Sequence, residues 1–322
     1  MALYNVSTIT AVARVGARVD LPDLFARLPI LGDGAPILGD GALGEGFTCV
    51  EYGGARRGTQ STSTLANARR KATREKAAAV RARDMAAKTG ADAEAALAPA
   101  QAAGGTRAAF ENQATVLYSP PPHLTGSRPP NKVNVNVKVF RNGGIQMTGL
   151  KTAELGARAV EHLVDTLNRM AQGAEGPGYQ AQGYRVCMMN VDFDLGFEIV
   201  RDRLFRLVRA SYPTKCMYEP CLYAGVKLRY ALNSDPSSGP FGVCACTTPC
   251  NGTGSGVGDG ECRRITIAVF GSGKALMSGA LTTAQADVAY HFIKDLVAAH
   301  AEELARPPQP PRVPKKSAPK VV

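Results

Sequence analysis

Val135–Gly149 reads VNVKVFRNGGIQMTG, and Ile265–Gly279 reads ITIAVFGSGKALMSG. The two stretches align without gaps at an offset of 130 residues, and five of their fifteen positions are identical. Alternating apolar residues on either side of a glycine turn predict a strand, a tight turn and a second strand in each copy. The identical pairs are Val139/Val269, Phe140/Phe270, Gly143/Gly273, Met147/Met277 and Gly149/Gly279.

A helical pattern follows each copy. Thr152 and Thr282 are suited to cap the first turn, and apolar residues then recur at helical spacing. These residues are Ala159, Leu163 and Leu167 in the first copy and Ala289, Ile293 and Val297 in the second. Each half is therefore predicted to fold as strand, turn, strand and amphipathic helix.

The alternation in the strands separates two faces. One side carries Val133, Val135, Val137 and Val139, or Ile265, Ile267 and Val269, and should pack under the helices. One helix per half cannot cover both sides of an antiparallel sheet, so the other side stays open. A solvated face is one interpretation, but a Phe repeated at the same exposed place favours a binding surface. The open side presents Asn134, Asn136, Lys138, Phe140, Gln146 and Thr148 in the first copy, and Thr266, Ala268, Phe270, Leu276 and Ser278 in the second.

The chain has 322 residues, a net charge of +11 and 45% hydrophobic residues, which exclude global disorder and favour a polyanionic partner. Two appendages hold this charge: an Ala-rich insertion at 53–109 with +7 and a Pro-rich tail at 306–322 with +5, against −1 for the rest. We expect a mobile, disordered or helical insertion and a disordered tail. The insertion is either a solvated loop or a set of phosphate-neutralising cations, namely Arg69, Arg70, Lys71, Arg74, Arg81 and Arg83.

Other function classes find little support. The sequence shows no signal peptide, no run of about 18 apolar residues, no nucleophile with its base and no paired carboxylates on one face. We therefore expect a soluble, intracellular, non-enzymatic protein without a membrane partner. Among the scattered histidines, His162 and His291 fall on the predicted helices without partners, and we expect surface or helix-packing residues.

Four cysteines cluster in the loop at 231–262, within CACTTPCNGTGSGVGDGEC. Cys244, Cys246, Cys250 and Cys262 have the spacing C-x-C-x3-C-x11-C, which differs from paired C-x-x-C motifs. Three interpretations stay open: a structural tetrahedral zinc site, a disulfide pair and free thiols. No cofactor is required by any other motif.

Three segments, FRNGGIQMTGLKT, FGSGKALMSGALTT and MYEPCLYAGVKLRY, carry a resemblance to a known family. The first two are similar to the strand-turn-strand-helix signature of the TATA-binding protein family, and the third is similar to its second-repeat segment. The chain resembles in particular the divergent TATA-binding-like proteins of large DNA viruses. NVSTITAVARVGARVDL and DFDLGFEIVRDRL resemble the opening of each repeat. VEYGG and FENQATVLY resemble one first-repeat segment, split by the insertion.

The resemblance implies an α+β fold in which two tandem repeats form one saddle-shaped, curved antiparallel sheet of about ten strands, with helices on the convex side. Its implied domains are a first repeat at 1–175, a second repeat at 176–305 and the tail at 306–322. The concave side would bind and bend promoter DNA through the minor groove as a transcription initiation factor. The alternative is a protein-interaction scaffold with weak or no sequence-specific DNA binding.

The resemblance also implies roles for individual residues. Two wedge pairs fall on Phe110 with Phe140 and on Tyr223 with Phe270, where Tyr223 replaces the usual Phe. Phosphate contacts transfer to Lys274 and Arg229, and the first repeat has Gly144 and Val116 at the equivalent places. The remaining groove-lining positions are Thr10, Asn136, Lys138, Gln146, Thr148, Asn190, Thr266, Ala268, Leu276 and Ser278.

Partners beyond DNA follow from the same resemblance. Glu219 and Leu222 match the surface through which the family binds transcription factor IIB, although Cys221 replaces an acidic residue there. The implied partners are therefore a factor of that kind and the RNA polymerase machinery. The implied location is a host nucleus, or a viral factory or virion.

Overall fold

The chain divides into two compact units. Thr8–Cys187 form the first unit, and Met1–Ser7 together with Met188–Val322 form the second. The structure is a computed structural model that describes residues 4–31, 44–58, 111–125, 133–172, 178–211, 215–234 and 242–307. No helix in these ranges is long and apolar enough to cross a membrane.

The first unit is an antiparallel sheet with the strand order β3-β2-β4-β5-β6-β1. Two helices accompany it: α1 follows β1 and α2 follows β6. The strands are β1 (Asn5–Arg14, whose first three residues belong to the second unit), β2 (Gly46–Tyr52), β3 (Ala55–Gly58), β4 (Gln113–Ser119), β5 (Val135–Phe140) and β6 (Gly144–Leu150), and the helices are α1 (Leu21–Arg27) and α2 (Ala153–Met170).

The second unit repeats this plan with the strand order β7-β11-β10-β9-β8. Helix α3 follows the first strand of the unit, and α4 follows the last, as in the first unit. The strands are β7 (Gln182–Asp194, whose residues up to Cys187 belong to the first unit), β8 (Lys215–Met217), β9 (Val226–Leu232), β10 (Arg263–Val269) and β11 (Lys274–Ala280), and the helices are α3 (Arg201–Ser211), α4 (Thr283–Ala299) and α5 (Ala301–Leu304). The expected α+β class is confirmed, with eleven described strands where about ten were expected.

The repeated glycine turn has a steric cause. Gly143 and Gly273 have φ angles of 78° and 80°. A Cβ added at Gly143 would lie 2.1 Å from the carbonyl oxygen of Ala17, and one added at Gly273 would lie 2.1 Å from that of Phe197. Only glycine combines this φ with such a close approach. The turn thus packs against the chain that leaves the first strand of each unit.

The two long helices begin and pack as the sequence predicts. The Thr152 hydroxyl accepts a hydrogen bond from the backbone N–H of Leu155, and the Thr282 hydroxyl accepts one from that of Gln285. The apolar positions at helical spacing are buried in both helices. The valines and isoleucines predicted on the inner side of β5 and β10 are buried as well, so helix and sheet form one core in each unit.

A polar network under α2 corrects the prediction for His162. Its ring lies 5.5 Å from Tyr118 and 5.2 Å from Phe47, and its Nδ1 lies 3.4 Å from a Glu45 carboxylate oxygen. Glu45 also accepts hydrogen bonds from Tyr118 at 2.6 Å and from Arg158 at 2.7 Å. His291 on α4 likewise contacts Tyr290 edge to face. Helical spacing alone could not show the partners of His162, because Phe47, Tyr118 and Glu45 come from two strands and a loop.

The insertion predicted at 53–109 starts later than the sequence indicates, because its first residues belong to the sheet. Gly53–Gly58 form a turn and the edge strand β3, in which Tyr52 pairs with Ala55 and Cys49 with Gly58. Arg56 pairs with Glu51, and the Arg57 guanidinium donates to backbone carbonyls at the end of α1, including that of Ala26 at 2.8 Å. Hydrogen bonds to β2 and to α1 therefore order residues that composition alone assigned to a coreless segment. The rest of the insertion lies outside the described residues.

Candidate nucleic-acid interface

The open face of the first unit is mostly polar. β5 places Asn136, Lys138 and Phe140 on it, half-buried, while their neighbours in the chain face the core. Gln146 and Thr148 of β6 pair with Lys138 and Asn136. Val12 of β1 pairs in turn with Gln146. Thr10 is half-buried on the same strand at an irregularity in the pairing with β6.

The open face of the second unit is less polar and forms a shallow depression of 570 Å³. Leu276 lies in it with 45% of its surface exposed. Ala268 is buried at the floor, because a methyl side chain between larger neighbours leaves little accessible surface. Other predicted residues that line the depression are Asn190, Tyr223, Arg229, Thr266 and Ser278.

An aromatic pair borders this depression. The rings of Tyr223 and Phe270 lie 5.8 Å apart at 52°, and the ammonium of Lys227 lies 3.8 Å from the centre of the Tyr223 ring. Gly225 leaves room for them, since a Cβ there would come within 2.9 Å of the Tyr223 ring and 3.2 Å of the Phe270 ring. The structure therefore brings together the predicted second wedge pair. Lys227 was missed, although its alternation with buried Val226 and Leu228 could have indicated it.

The corresponding aromatic of the first unit, Phe140, is half-buried at the end of β5 and pairs with Gln113. Gln113 occupies the place that Gly225 has in the second unit. Its side-chain amide donates to the Thr115 hydroxyl at 3.1 Å. The predicted partner Phe110 lies outside the described residues, as do the arginines and Lys71 named for the insertion.

Strand register corrects one predicted equivalence. Arg229 pairs with Thr266, and Leu117 pairs with Asn136, which is the repeat equivalent of Thr266. Leu117, half-buried on the open side, therefore corresponds to Arg229, whereas Val116 is fully buried. Between Phe110 and Leu117 the first unit has one more residue than the second unit has between Tyr223 and Arg229, so the two segments do not align without a gap. The other predicted phosphate contact, Lys274, is exposed at the start of β11.

Acidic side chains on β7 were also missed. Asp192 pairs with Leu276 and Asp194 with Lys274, so both carboxylates belong to the open side. Asp192 accepts a hydrogen bond from Asn5 at 2.9 Å, and Asp194 accepts one from the Gly196 backbone at 2.9 Å. The open face of this unit thus runs from acidic at β7 to basic at β9, where Lys227 and Arg229 lie. The period-two spacing of Asp192 and Asp194 in DFD was the sequence signal that could have placed both on the open side.

The predicted partner surface is a tight turn. The Glu219 carbonyl accepts hydrogen bonds from the backbone N–H groups of Leu222 and Tyr223, at 3.0 and 2.8 Å. The turn leaves Leu222 87% exposed, the largest value among the exposed large apolar residues that are described. Cys221 is exposed beside it. The turn joins this surface directly to the aromatic pair.

The four cysteines of the long loop converge. The sulfur atoms of Cys244, Cys246, Cys250 and Cys262 all lie within 4.8 Å of one another. The Cys246 and Cys262 sulfur atoms lie 3.3 Å apart, and Cys262 is buried while Cys244 is exposed. Burial raises the pKa of the Cys262 thiol. Arg229 and Arg264 line a cavity of 260 Å³ together with three of these cysteines, so the cluster adjoins the basic end of the open face.

Known proteins are similar to this chain in sequence and in structure. No protein-family model matches the chain. The chain is similar to a TATA-box-binding protein-like protein of Acanthamoeba polyphaga mimivirus, with 23% identity over 206 residues. The match covers 61% of this chain and only 50% of the relative. The expected resemblance to the TATA-binding-like proteins of large DNA viruses is confirmed by this relative.

A solved structure is also similar to the chain. It is the TBP of Methanococcus jannaschii, with a TM-score of 0.45 and 14% identity. The match covers 92% of this chain and 99% of the archaeal one. Neither similar protein is named as an enzyme.

Proposed function

We propose that this chain is a TATA-binding-like, non-enzymatic transcription initiation factor that binds and bends double-stranded promoter DNA through the minor groove. The observation that carries the proposal is the half-exposed Phe at the end of an equivalent strand in each unit, Phe140 and Phe270. In the second unit Tyr223 joins Phe270 as an aromatic pair beside an apolar depression. A wedge of this kind can enter a base step and unstack it.

The rest of the open face suits a minor groove. That groove offers few distinguishing hydrogen bonds, so a surface of small, hydroxyl and apolar side chains selects DNA by how easily it deforms. Leu276, Ser278 and Thr148 provide such a surface. Lys274, Lys227 and Arg229 lie where they can neutralise phosphates. The basic residues of the insertion and the tail would add a salt-dependent contribution in an intracellular compartment that holds DNA, a nucleus or a viral factory.

The exposed turn at Glu219 and Leu222 would recruit a factor of the transcription factor IIB kind, and through it RNA polymerase. An 87% exposed Leu beside a carboxylate suits a partner that offers an apolar pocket rimmed by positive charge. Leu222→Ala should weaken binding of this partner and leave DNA binding unchanged. A pull-down with purified factor measures the first, and a gel shift measures the second.

The decisive experiment is the double variant Phe140→Ala/Phe270→Ala, measured by gel shift and by circular-permutation bending on selected duplexes. We expect the bend to be lost and the affinity to fall by at least about tenfold, because each wedge contributes on the scale of unstacking one base step. Phe205→Ala is the matched control, since this half-buried Phe on α3 contacts Tyr218 away from the open face. A double variant that binds and bends DNA like the unchanged protein would refute the proposal.

A second function, a protein-interaction scaffold with little DNA affinity, is favoured by one observation. Asp192 and Asp194 lie on the side that would meet phosphates, and like charges there oppose DNA binding. A scaffold would bind its transcription factor and show no affinity for random duplexes even at low salt. Selection from random duplexes at two salt concentrations separates the two functions.

A further inference from the structure

The loop between β9 and β10 is built around its cysteines. Two residues within it are tied to the sheet: the Ala231 amide of β9 donates to the Gly242 carbonyl, and the Arg264 amide of β10 donates to that of Gly252. Within the loop, Asp259 accepts hydrogen bonds from the backbone N–H groups of Thr247 and Thr248 at 2.7 and 3.1 Å. The loop is rich in glycine and offers little apolar core, so something else must fix its course.

We propose that Cys244, Cys246, Cys250 and Cys262 bind one Zn²⁺ ion in tetrahedral geometry. Four sulfurs bonded to zinc at about 2.3 Å lie about 3.8 Å apart. The sulfur atoms here all lie within 4.8 Å of one another, and the Cys246 and Cys262 sulfurs lie 3.3 Å apart, so small side-chain adjustments reach that geometry. Four thiols drawn from a span of nineteen residues are a complete ligand set for a closed structural site.

The ligand chemistry selects the ion. Four soft thiolates in a tetrahedron favour zinc over the hard cations Mg²⁺ and Ca²⁺, which prefer oxygen. A cluster of several iron atoms would hold its cysteines further apart than one ion does, and these sulfurs are too close for it. A disulfide accounts for two of the four cysteines and gives no reason for the other two to converge on the same point.

Groups around the cysteines make hydrogen bonds of the kind that orient metal-binding sulfur atoms. The side-chain amide of Asn233 lies 3.6 Å from the Cys262 sulfur and donates to the carbonyl of Gly258 at 2.8 Å. The Cys262 carbonyl accepts from the Gly254 amide at 3.1 Å. Hydrogen bonds to ligand sulfurs orient the thiolates and compensate part of their charge. These contacts fix the buried end of the site, and Cys244 closes it from the surface.

A consequence rests on the proposed function. Arg229 and Arg264 line the same cavity as Cys244, Cys250 and Cys262. A zinc-closed loop would hold this basic end of the open face in one arrangement before DNA arrives. Loss of the ion should then weaken DNA binding several-fold and leave the Phe wedges in place.

The test is the metal content of the full chain, expressed with zinc supplied and purified under reductant. We expect one zinc per chain by inductively coupled plasma mass spectrometry, and visible d–d bands of thiolate-bound Co²⁺ when cobalt replaces it. We also expect chelation to lower the thermal midpoint by several degrees. No bound metal in a folded chain, or a Cys246–Cys262 disulfide that persists in the presence of reductant, would overturn the proposal.

Variants make the assignment specific. Cys244→Ser removes an exposed ligand and should reduce the zinc content to well below one per chain without unfolding the unit. Cys262→Ser should do the same. If this variant at a buried position does not fold, Cys244→Ser at the exposed position still tests the site. Cys221→Ser is the control, because that thiol is exposed and outside the cluster. Full zinc content in Cys244→Ser would contradict the site.

The readout separates this proposal from the proposed function. Zinc content involves no DNA, so it can succeed when DNA binding fails. Phe140→Ala/Phe270→Ala should keep one zinc per chain and lose bending. If the chain holds zinc but does not bind DNA, the zinc site is supported and the proposed function as an initiation factor is refuted.

Discussion

The two units share a scaffold and differ on the surface that it presents. Gly143 and Gly273 make the same turn, and Thr152 and Thr282 make the same cap. On the open side, however, Lys138 and Gln146 in the first unit stand where Ala268 and Leu276 stand in the second. Backbone geometry has been kept where sterics leave one solution, and the side chains have diverged where only a ligand constrains them.

The cores differ in a second way. Tyr118 of β4 and Tyr230 of β9 occupy equivalent places, because they pair with Val135 and Ile265 of the repeated motif. Over Tyr230 lies Phe292, at 4.8 Å, whereas over Tyr118 lies His162, at 5.5 Å. One unit therefore closes its core with an apolar ring and the other with a titratable ring. The difference makes only the first unit sensitive to mild acid at this place.

The largest expected effect breaks the shared scaffold. Gly143→Ala and Gly273→Ala should each lower the free energy of unfolding by about 2–3 kcal/mol, because a left-handed φ and a carbonyl 2.1 Å from the new Cβ add their costs. Urea denaturation with one probe in each unit measures the effect. Equal losses in both units confirm that the turn is structural.

Gly196→Ala is the control for this pair. Gly196 has a φ of 96° but nothing within 4 Å of its virtual Cβ, so its substitution reports conformational strain alone. A loss as large as that of Gly273→Ala would show that the close carbonyl contributes nothing.

A smaller effect tests the charge difference of the open faces. Asp192 and Asp194 correspond in register to Val12 and Arg14 of β1. Asp192→Asn should raise DNA affinity about threefold at low salt, since it removes a charge that repels phosphate. Arg14→Gln should weaken binding and lower the salt slope by about one. Fluorescence anisotropy across a salt series measures both.

Asp295→Asn provides the matched control, because this carboxylate is exposed on α4 in the same unit. It should change neither affinity nor slope. If it raises affinity as Asp192→Asn does, then net charge, and not the position on the open face, explains the gain.

The smallest effect concerns acid. Burial lowers the pKa of His162 below its usual 6.5, so the unfolded chain takes up the proton first as pH falls. The stability that the neutral ring contributes is complete above about pH 6.5 and is lost as pH falls towards the folded pKa. Burial would raise the pKa of Glu45, but hydrogen bonds from Arg158 and Tyr118 outweigh it and lower the pKa. The Glu45 contribution is therefore lost at still lower pH, below about 4.5.

His162→Phe would give the first unit the ring that the second already has. It should remove the loss of stability, less than about 1 kcal/mol, between about pH 7.5 and pH 5.5. Hydrogen exchange of β4 amides at the two pH values measures it, with β9 amides as the internal reference. An unchanged pH dependence would show that another group titrates there.

The repeat was enough to predict much of this fold. Fifteen-residue self-similarity predicted β5, β6 and α2 together with their counterparts β10, β11 and α4, including both threonine caps. The alternation in β5 and β10 separated core from open side, because a strand has a period of two wherever one side is buried. These features could be predicted because residues close together in the sequence determine them.

Other features depend on contacts between distant residues. Arg57 is ordered by carbonyls of α1 some thirty residues away, and its Ala-rich surroundings do not indicate this. The partner of His162 is Glu45, over one hundred residues distant. The equivalence of Leu117 with Arg229 needed strand register, since the insertion hides how many residues lead into β4. The cysteine spacing could suggest a site, but only the fold shows that all four sulfurs converge.

Strand β3 has a consequence for anyone who wishes to shorten this chain. β3 and β4 both run antiparallel to β2 and lie on either side of it, so they are parallel to each other. Parallel strands cannot be joined by a hairpin, and a connection between them needs about a dozen residues or more. Topology therefore sets a minimum length for any truncated version, whatever sequence replaces the segment between Gly58 and Gln113.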